Sequence, residues 1–277
     1  MTEQLKSLSI ITINLNNREG LRKTIESVIA QTFKKIQYII IDGGSTDGSV
    51  DVIKEYADNI NYWVSETDNG YANAHNKGIK QSTGDYLLFL NSGDYLSETT
   101  VLSDAFKYSF DEEIIYGDLY FETAGADFVL KEYPSKLTFD FFFSHNESLP
   151  HPSSFIKKSL FLKVGLYGEK LKIVNDWEFW MKAIFLHQAT YKRIPVAISV
   201  FNTEGMSSQF QNQKLLKSER DEVFEKYFSG FVDDYRKFYA EIADINSRFN
   251  AERAAINSNI FIKILRKLQL LRYESIT

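Results

Sequence analysis

Residues 8–17 read LSIITINLNN, an isoleucine-rich apolar run that ends in asparagines. A continuous apolar run of this length predicts a strand that is buried on both faces of a sheet. Leu21, Ile25, Val28 and Ile29 follow at helical spacing. A buried strand followed at once by an amphipathic helix is typical of the repeating unit of α/β folds.

The same alternation continues through about residue 108. Further strands are predicted at 38–41, 62–64 and 86–90, and further helices at 50–57, 70–81 and 99–108. This order predicts an α/β fold in which a mostly parallel, Rossmann-like sheet is flanked by helices.

After residue 112 strands and helices no longer alternate regularly. The predicted elements are paired strands at 114–121 and 128–133 around a turn at 124–126, a helix at 176–186, and one or two strands at 191–200, interrupted at Pro195. From about Gln209 the chain is helical and rich in charge. We therefore expect one domain over residues 1–205 and a helical extension over 206–277.

The overall composition excludes several classes of protein. The 32 Lys and Arg against 37 Asp and Glu give a net charge of −5, which argues against a nucleic-acid-binding protein with its broad basic face. Without cysteine there is no disulfide, thiolate nucleophile or zinc–thiolate site. Residues 1–9 are unlike a signal peptide, and no apolar stretch is long enough to span a bilayer. A cytoplasmic location is the expectation.

Three polar clusters follow predicted strands directly: residues 14–17 (NLNN), 42–47 (DGGSTD) and 91–94 (NSGD). Ligands of open α/β sheets bind beyond the carboxyl ends of the strands, so we expect the clusters to converge on one crevice. The same residue types also form turns and helix caps. The repeated placement favours a functional role for Asp42 and Asp94.

The common phosphate-binding and hydrolase motifs are absent. The sequence contains no G-x-G-x-x-G, no G-x-x-x-x-G-K-[ST], no G-x-S-x-G and no H-E-x-x-H. A nucleotide crevice without a phosphate loop would need a metal ion to offset the pyrophosphate charge. Hard divalent cations prefer carboxylate oxygens as ligands.

Residues 9–17 (SIITINLNN), 29–33 (IAQTF) and 41–49 (IDGGSTDGS) together resemble the opening of family 2 glycosyltransferases. The likeness continues in the family's order through Ser65-Glu66, Asp68, Asn76-Lys77-Gly78, residues 88–96 (LFLNSGDYL), His151-Pro152 and residues 175–180 (NDWEFW). It covers roughly residues 7–205. The family consists of inverting enzymes of the GT-A fold that build bacterial surface polysaccharides, so the resemblance implies that fold and that activity.

The resemblance implies a set of nucleotide-binding residues. Asp42 matches the aspartate of the second strand that contacts the donor base, and Gly43 stands where many members have a second aspartate. Asn14 and Asn16 match the first-strand loop that borders the nucleotide. Asp68 matches a position near the nucleotide.

Residues 91–94 occupy the family's D-x-D region, which places Ser92 and Gly93 beside the nucleotide. Asn91 and Gly93 stand in place of two carboxylates, so Asp94 is the only acidic ligand. One carboxylate with two diphosphate oxygens and waters can still hold Mg²⁺ or Mn²⁺.

Asp176 matches the family's general base. In a single displacement the acceptor hydroxyl attacks the anomeric carbon, and a carboxylate must take its proton. Trp177 fits either a stacking contact with a sugar or burial in the core. His151, which precedes an apolar strand, fits either a contact with phosphate or acceptor, or a structural turn.

The C-terminal extension lies outside the resemblance. Residues 259–273 place apolar side chains at helical spacing together with Lys263, Arg266, Lys267 and Arg272. A basic amphipathic helix suits a peripheral contact with the inner face of the membrane. Docking on its own domain, or on a second subunit in a homodimer, is the alternative.

The sequence thus favours an enzyme that transfers a sugar from a nucleotide-sugar, with UDP-sugars expected, to a saccharide or lipid-linked acceptor. One alternative is a sugar nucleotidyltransferase, but residues 14–20 lack its glycine-rich basic loop and contain only Arg18. The other is a catalytically silent module that binds sugar nucleotides or acts as a scaffold. The loss of two carboxylates from the D-x-D region leaves the silent module open, whereas Asp94 and Asp176 argue against it.

Overall fold

The computed structural model describes residues 6–122, 128–143, 147–203 and 210–258. Its contacts divide the chain into two compact units, Met1–Arg220 and Asp221–Thr277. The predicted turn at 124–126, the boundary near residue 205 and the basic helix at 259–273 lie outside the described residues.

The order of elements follows the predicted alternation in the first hundred residues. The strands are β1 (Leu8–Asn14), β2 (Ile36–Asp42), β3 (Tyr62–Ser65), β4 (Tyr86–Phe89), β5 (Tyr95–Leu96), β6 (Ile114–Glu122), β7 (Phe128–Lys131), β8 (Ser154–Lys157) and β9 (Tyr191–Phe201). The helices are α1 (Arg18–Ile29), α2 (Ser49–Glu55), α3 (Tyr71–Gln81), α4 (Val101–Ala105), α5 (Phe139–Phe143), α6 (Leu160–Val164), α7 (Asn175–Met181) and α8 (Gln213–Ser258). No helix in these described ranges is both long and apolar enough to cross a bilayer.

The strands form one sheet in the order β3-β2-β1-β4-β8-β6-β9-β5, with β7 paired to the outer part of β6. β1, β2, β3 and β4 are parallel neighbours, which confirms the predicted α/β class. β8 runs antiparallel to both β4 and β6. The sheet is therefore mixed beyond β4, where the strand–helix alternation of the sequence ends.

Helices cover both faces of the parallel half of the sheet. The apolar positions of α1 and α2, together with Leu8, Ile10, Tyr38 and Ile40, form the core on one face. On the other face α3 packs on β1 and β2. A Cβ atom at Gly78 would lie 2.4 Å from Cγ2 of Ile11, so this glycine lets α3 approach the strand closely.

Three predicted elements differ in extent. The helix expected over 99–108 is confined to α4, and the helix expected over 176–186 continues from α7 as a π-helical turn at Lys182–Leu186. β9 is one strand that runs through Pro195, although its register with β6 shifts between Arg193 and Ala197. Proline donates no hydrogen bond to a ladder, so a register shift is the expected local response.

Candidate active site

A cleft of about 640 Å³ opens where β1 and β4 end. Six of the predicted site residues line it: Asn14, Asp68, Ser92, Asp94, His151 and Asp176. The polar clusters that follow the first and fourth predicted strands therefore meet in one crevice, whereas the cluster at 42–47, which we expected there too, does not line it. Asn16, Asp42, Gly93 and Trp177 are not on its wall.

Asp42 is fully buried behind the cleft. Its carboxylate accepts hydrogen bonds from the side chains of Asn14 (2.7 Å), Ser45 (2.6 Å) and Ser65 (2.6 Å) and from the backbone of residues 44 and 45. Burial raises its pKa, but the hydrogen bonds from Ser45, Ser65 and Asn14 outweigh burial and hold the pKa below its usual value. In this conformation Asp42 organises the loop after β2 and presents no oxygen to the cleft.

Asn16 also joins the first two strand-end loops instead of facing the cleft. It adopts φ +50°, a left-handed conformation that asparagine tolerates better than most residues. Its side-chain oxygen accepts from the backbone of Thr46 (2.8 Å), and its own N–H donates to the Ser45 hydroxyl (2.8 Å). Asn16 thus links the loops that follow β1 and β2 and does not line the cleft.

Asp68 occupies the space beside Gly43. A Cβ atom at residue 43 would lie 2.8 Å from Oδ2 of Asp68, so no larger side chain fits there without a shift. Oδ1 of Asp68 accepts from the backbone of Gly70 (2.8 Å), and the side chain lines the cleft. The carboxylate of Asp68 therefore stands next to the position where the resemblance expects a second aspartate.

Asp94 is a buried carboxyl group at the end of β4. Its Oδ1 accepts from the backbone of Asn202 (2.9 Å). Burial raises its pKa to about 7, and backbone hydrogen bonds at Asn202 and Asn91 lower it only in part. The preceding Gly93 has φ +102°, and a Cβ atom there would lie 2.5 Å from Nδ2 of Asn202. Gly93 thus shapes the turn that carries Asp94.

Asp176 lies in the first turn of α7 and lines the same cleft. Burial raises the pKa of its carboxyl, while a hydrogen bond from the backbone of Trp177 (2.7 Å) and the charge of Arg220 oppose the shift. A carboxylate with a raised pKa is a stronger proton acceptor than an exposed aspartate. This environment suits a general base.

Trp177 is buried in the core and does not face the cleft, where it could stack on a sugar. Its side chain is 1% exposed. Its indole N–H donates to the carbonyl of Glu147 (3.1 Å), and the Arg220 guanidinium lies 5.0 Å from the ring centroid. A stacking contact between this ring and an acceptor sugar would require α7 to move.

His151 is a buried neutral residue of the cleft wall. Its ring stacks on Phe89 at 4.7 Å, and its Nε2 lies 2.9 Å from the Tyr167 hydroxyl. Burial lowers its pKa to about 3, so it carries no charge at neutral pH. His75 packs edge-on against His151, and its Nε2 lies 2.9 Å from Oδ1 of Asn91.

Sequence reasoning missed several lining residues. They include Asn17, Tyr71, Lys172, Asn175 and Asn202. Lys172 is the one Lys or Arg side chain among the described residues that line the cleft. It lies in an irregular segment without a motif, so no spacing rule could single it out, although its position four residues before Asp176 is a signal in hindsight.

The surroundings of Asp94 fit a divalent cation that takes one ligand from the protein and the others from a bound diphosphate and water. No group of three His, Asp or Glu side chains suited to a metal occurs among the described residues. Asp94 is nevertheless a buried carboxyl whose pKa shift no cationic side chain offsets, and a diphosphate in this cleft would meet only one lysine. A cation held between Asp94 and diphosphate oxygens would satisfy both groups.

Known proteins with similar sequences are glycosyltransferases. Residues 9–158 match the family model of glycosyl transferase family 2. An uncharacterized glycosyltransferase of Mycobacterium tuberculosis (strain CDC 1551) is 32% identical over 206 residues, which are 73% of this chain and 77% of that protein. A PGL/p-HBAD biosynthesis glycosyltransferase of Mycobacterium bovis (strain BCG) is 26% identical over 76% of this chain and 82% of its own length.

Solved structures of the same type share the fold. S. aureus TarS 1–349 in complex with UDP-GlcNAc superposes with a TM-score of 0.60 at 19% identity over 74% of this chain and 61% of that one. The chain spans 36% of the longer TarS structure. The mannosyltransferase PcManGT from Pyrobaculum calidifontis, in complex with GDP-Man and Mn²⁺, gives 0.55 at 12% identity over 96% and 84%. The chain belongs to glycosyl transferase family 2, and it is a glycosyltransferase with the GT-A fold.

Proposed function

We propose that the enzyme transfers a sugar from a UDP-sugar to a hydroxyl of a saccharide or lipid-linked acceptor, with inversion at the anomeric carbon. The observation that carries the proposal is that Asp94 and Asp176 line the same cleft. Both carboxyl groups are buried with raised pKa values. Two carboxyls in such surroundings suit two different tasks, diphosphate neutralisation and proton abstraction.

Asp176 acts on the acceptor. Its carboxylate accepts the proton of the attacking hydroxyl while the oxygen forms a bond to the anomeric carbon and the bond to the diphosphate breaks. Its Oδ1 is already oriented by the Trp177 backbone. Attack on the face opposite the leaving diphosphate inverts the configuration, through an oxocarbenium-like transition state.

Asp94 would hold Mg²⁺ or Mn²⁺ together with the diphosphate oxygens of the donor. When bound, the cation supplies Lewis-acid stabilisation of the leaving diphosphate. Lys172 lies on the same cleft and can add a positive charge. The bound Mn²⁺ of the related mannosyltransferase structure supports this choice of ion.

Asn14, at the end of β1, and Asp68, after β3, are two of the polar side chains that a nucleotide in this cleft would meet. Asp68 is partly exposed and keeps one carboxylate oxygen for a ligand while the other accepts from Gly70. We assign Asp68 the direct contact with the base or ribose, and Asp42 the support of the loop behind it. UDP is the nucleotide of the TarS complexes, which makes it the first to test.

Asp68→Asn is expected to raise the Kd of UDP about tenfold. The change keeps the oxygen that accepts from Gly70 and removes the charge, and a hydrogen bond to a charged group is worth about 1.5–3 kcal/mol. Isothermal titration calorimetry with UDP in the presence of MnCl₂ measures the effect. Asp58→Asn, an exposed aspartate away from the cleft, is the matched control, and equal UDP affinity in the two variants would contradict the assignment.

The proposed reaction is tested by incubating the enzyme with a panel of UDP-sugars and detecting released UDP with and without saccharide acceptors. Acceptor-dependent release that requires Asp176 supports transfer. UDP binding without release from any donor would favour the catalytically silent module. A product in which a nucleotide is joined to a sugar phosphate would favour the nucleotidyltransferase.

A further inference from the structure

A stripe of apolar side chains, four of them largely exposed, runs along α8 after residue Phe228, where the helix is broken by φ −134° and ψ 16°. The stripe, here termed the seam, consists of Phe231, Tyr235, Phe238, Ile242, Ile245 and Phe249. Its four most exposed members leave 56–65% of their surface accessible. Contiguous apolar surface of this kind marks an interaction site.

The seam has the spacing of a coiled coil. Its members follow one another at intervals of four, three, four, three and four residues. This is the heptad pattern in which one helix meets another along a continuous line of apolar side chains. The partner that fits the seam is therefore a second helix with the same spacing.

The charged residues next to the seam indicate that this partner helix is α8 of a second copy of the chain. Asp234, Glu241 and Arg248 precede the seam at heptad intervals, and the sign changes along the helix. In an antiparallel pair of identical helices, Asp234 lies opposite Arg248 of the second copy, twice by symmetry, and Glu241 lies opposite Glu241 of the second copy, so that two opposite-charge pairs stand against one like-charge pair. In a parallel pair, Arg248 would instead approach Arg253 of the second copy. The charge pattern favours the antiparallel pair.

The same charges disfavour a membrane as the partner. Residues 229–258 contain five acidic and four basic side chains. Helices that lie in a membrane surface are rich in Lys and Arg on their polar face. A nearly balanced face suits a protein partner.

We propose that the seam packs against the seam of a second copy of the chain in an antiparallel coiled coil, so that the enzyme is a homodimer. Six side chains from each copy, four of them aromatic, would bury on the order of 1,000 Å² in total. That area is at the low end for a specific interface, and we therefore expect a dimer that dissociates on dilution.

Phe238→Lys is expected to convert the dimer to a monomer, with a rise in the dimer Kd of at least about 100-fold because both copies lose a central anchor. Light scattering coupled to size exclusion, on the full chain over a range of concentrations, measures the mass against the 32.0 kDa of one chain. Ala243→Lys, an exposed position off the seam, is the control and stays dimeric. UDP binding and circular dichroism establish that both variants are folded.

A charge exchange tests the orientation. Arg248→Asp weakens the dimer about fivefold, and adding Asp234→Arg to the same chain restores it. A wild-type monomer at all concentrations, or a dimer that Phe238→Lys leaves intact, overturns the proposal. Seam-dependent flotation of a monomer with vesicles of phosphatidylcholine and phosphatidylglycerol would also overturn it, in favour of the membrane.

A second, independent observation concerns Glu219, near the start of α8 and within the first compact unit. Its carboxylate is buried and accepts three backbone hydrogen bonds, from Lys172 (2.7 Å), Ile173 (2.9 Å) and Val174 (3.2 Å). These residues lead directly into α7, whose first turn holds Asp176. Glu219 therefore ties the segment before the candidate base to a helix outside the family match.

The segment is part of the cleft. Lys172 and Ile173 line it, as does Asp176. The neighbouring Arg220 places its guanidinium over the ring of Trp177. The same turn of α8 thus contacts the chain on both sides of Asp176 in the sequence, at residues 172–174 and at Trp177.

We infer that Glu219 is a positioning residue for Asp176, an inference that rests on the function proposed above. A small displacement of a base in a transfer reaction costs on the order of 100-fold in rate. Loss of this anchor should slow the chemical step while the nucleotide side of the cleft stays intact.

Glu219→Gln is expected to lower kcat about 10- to 100-fold per active site, with the Kd of UDP within about twofold of wild type. Calorimetry counts the UDP-binding sites, which separates misplacement of the base from loss of folded protein. Glu222→Gln, exposed on the same helix, is the control. An unchanged kcat per UDP site overturns the inference, whereas a wild-type enzyme without turnover overturns the proposed function and leaves Glu219 no base to position.

Discussion

Asp176→Asn is expected to lower the rate of sugar transfer about 1,000-fold while UDP affinity stays unchanged. General-base catalysis contributes about 10²- to 10⁴-fold, and an amide cannot accept the acceptor's proton. Asparagine retains the oxygen that accepts from the Trp177 backbone, so the first turn of α7 should keep its conformation. Single-turnover measurements with a UDP-sugar and acceptor, beside calorimetry with UDP, check both parts.

The control for Asp176 is again the exposed Asp58→Asn, which should match wild type in rate and affinity. Transfer within about tenfold of wild type in Asp176→Asn would show that the base is another group. Parallel loss of transfer and UDP binding would mean that the substitution disturbs the fold of the cleft.

Asp94→Asn is expected to abolish the metal dependence of UDP binding. In wild type, MnCl₂ should tighten UDP binding about 100-fold over EDTA, and the variant should bind UDP equally weakly under both conditions. The reason is that the cation loses its only carboxylate ligand from the protein, and with it a charge-assisted contact to the diphosphate. Transfer should fall by a similar factor or more.

The same substitution should stabilise the metal-free protein. Burial raises the pKa of Asp94 to about 7, so the folded state binds this proton more tightly than the unfolded state does. Wild-type stability is therefore lost as pH rises between about 4 and 7, by up to roughly 4 kcal/mol at pH 8. Asparagine does not titrate and avoids that loss. Urea unfolding in EDTA at pH 8 measures the gain, and a destabilised Asp94→Asn would contradict this account of the site.

The two substitutions separate the two halves of the cleft. Asp94→Asn should affect the donor before any acceptor is present, whereas Asp176→Asn should affect only the transfer step. If either substitution alone removed all donor binding, the proposed division of roles between Asp94 and Asp176 would be contradicted.

Local patterns predicted the parallel half of the fold because each buried strand carries its own signal. Residues 8–14 and 36–42 have no polar face, and the helices after them repeat apolar side chains at helical spacing. Beyond residue 112 the strands pair across large separations, such as β6 with β9. Such a pairing leaves no periodic pattern in the local sequence, so the strand order in the mixed half of the sheet could be learned only from the tertiary structure.

For the site residues, too, the sequence predicted some features and the tertiary structure decided others. Asp94 and Asp176 could be chosen from motif order, and both line the cleft. Asp42 could be chosen too, but its buried carboxylate is held by side chains from two other segments, Asn14 and Ser65. Trp177 was equally suited to a wall or a core, and only the position of Arg220 and Glu147 decided for the core.

The sequence by itself determined the α/β class, the family and the two carboxylates of the proposed chemistry, because strand periodicity and motif order are local properties of the chain. The tertiary structure alone decided which polar residues face the cleft and which support it. It also brought Glu219 to the segment before Asp176 across more than forty residues. The packing of distant segments determines how deeply each aspartate is buried and which groups it bonds to. Burial and hydrogen bonding in turn give the aspartates different pKa values and suit them to different tasks.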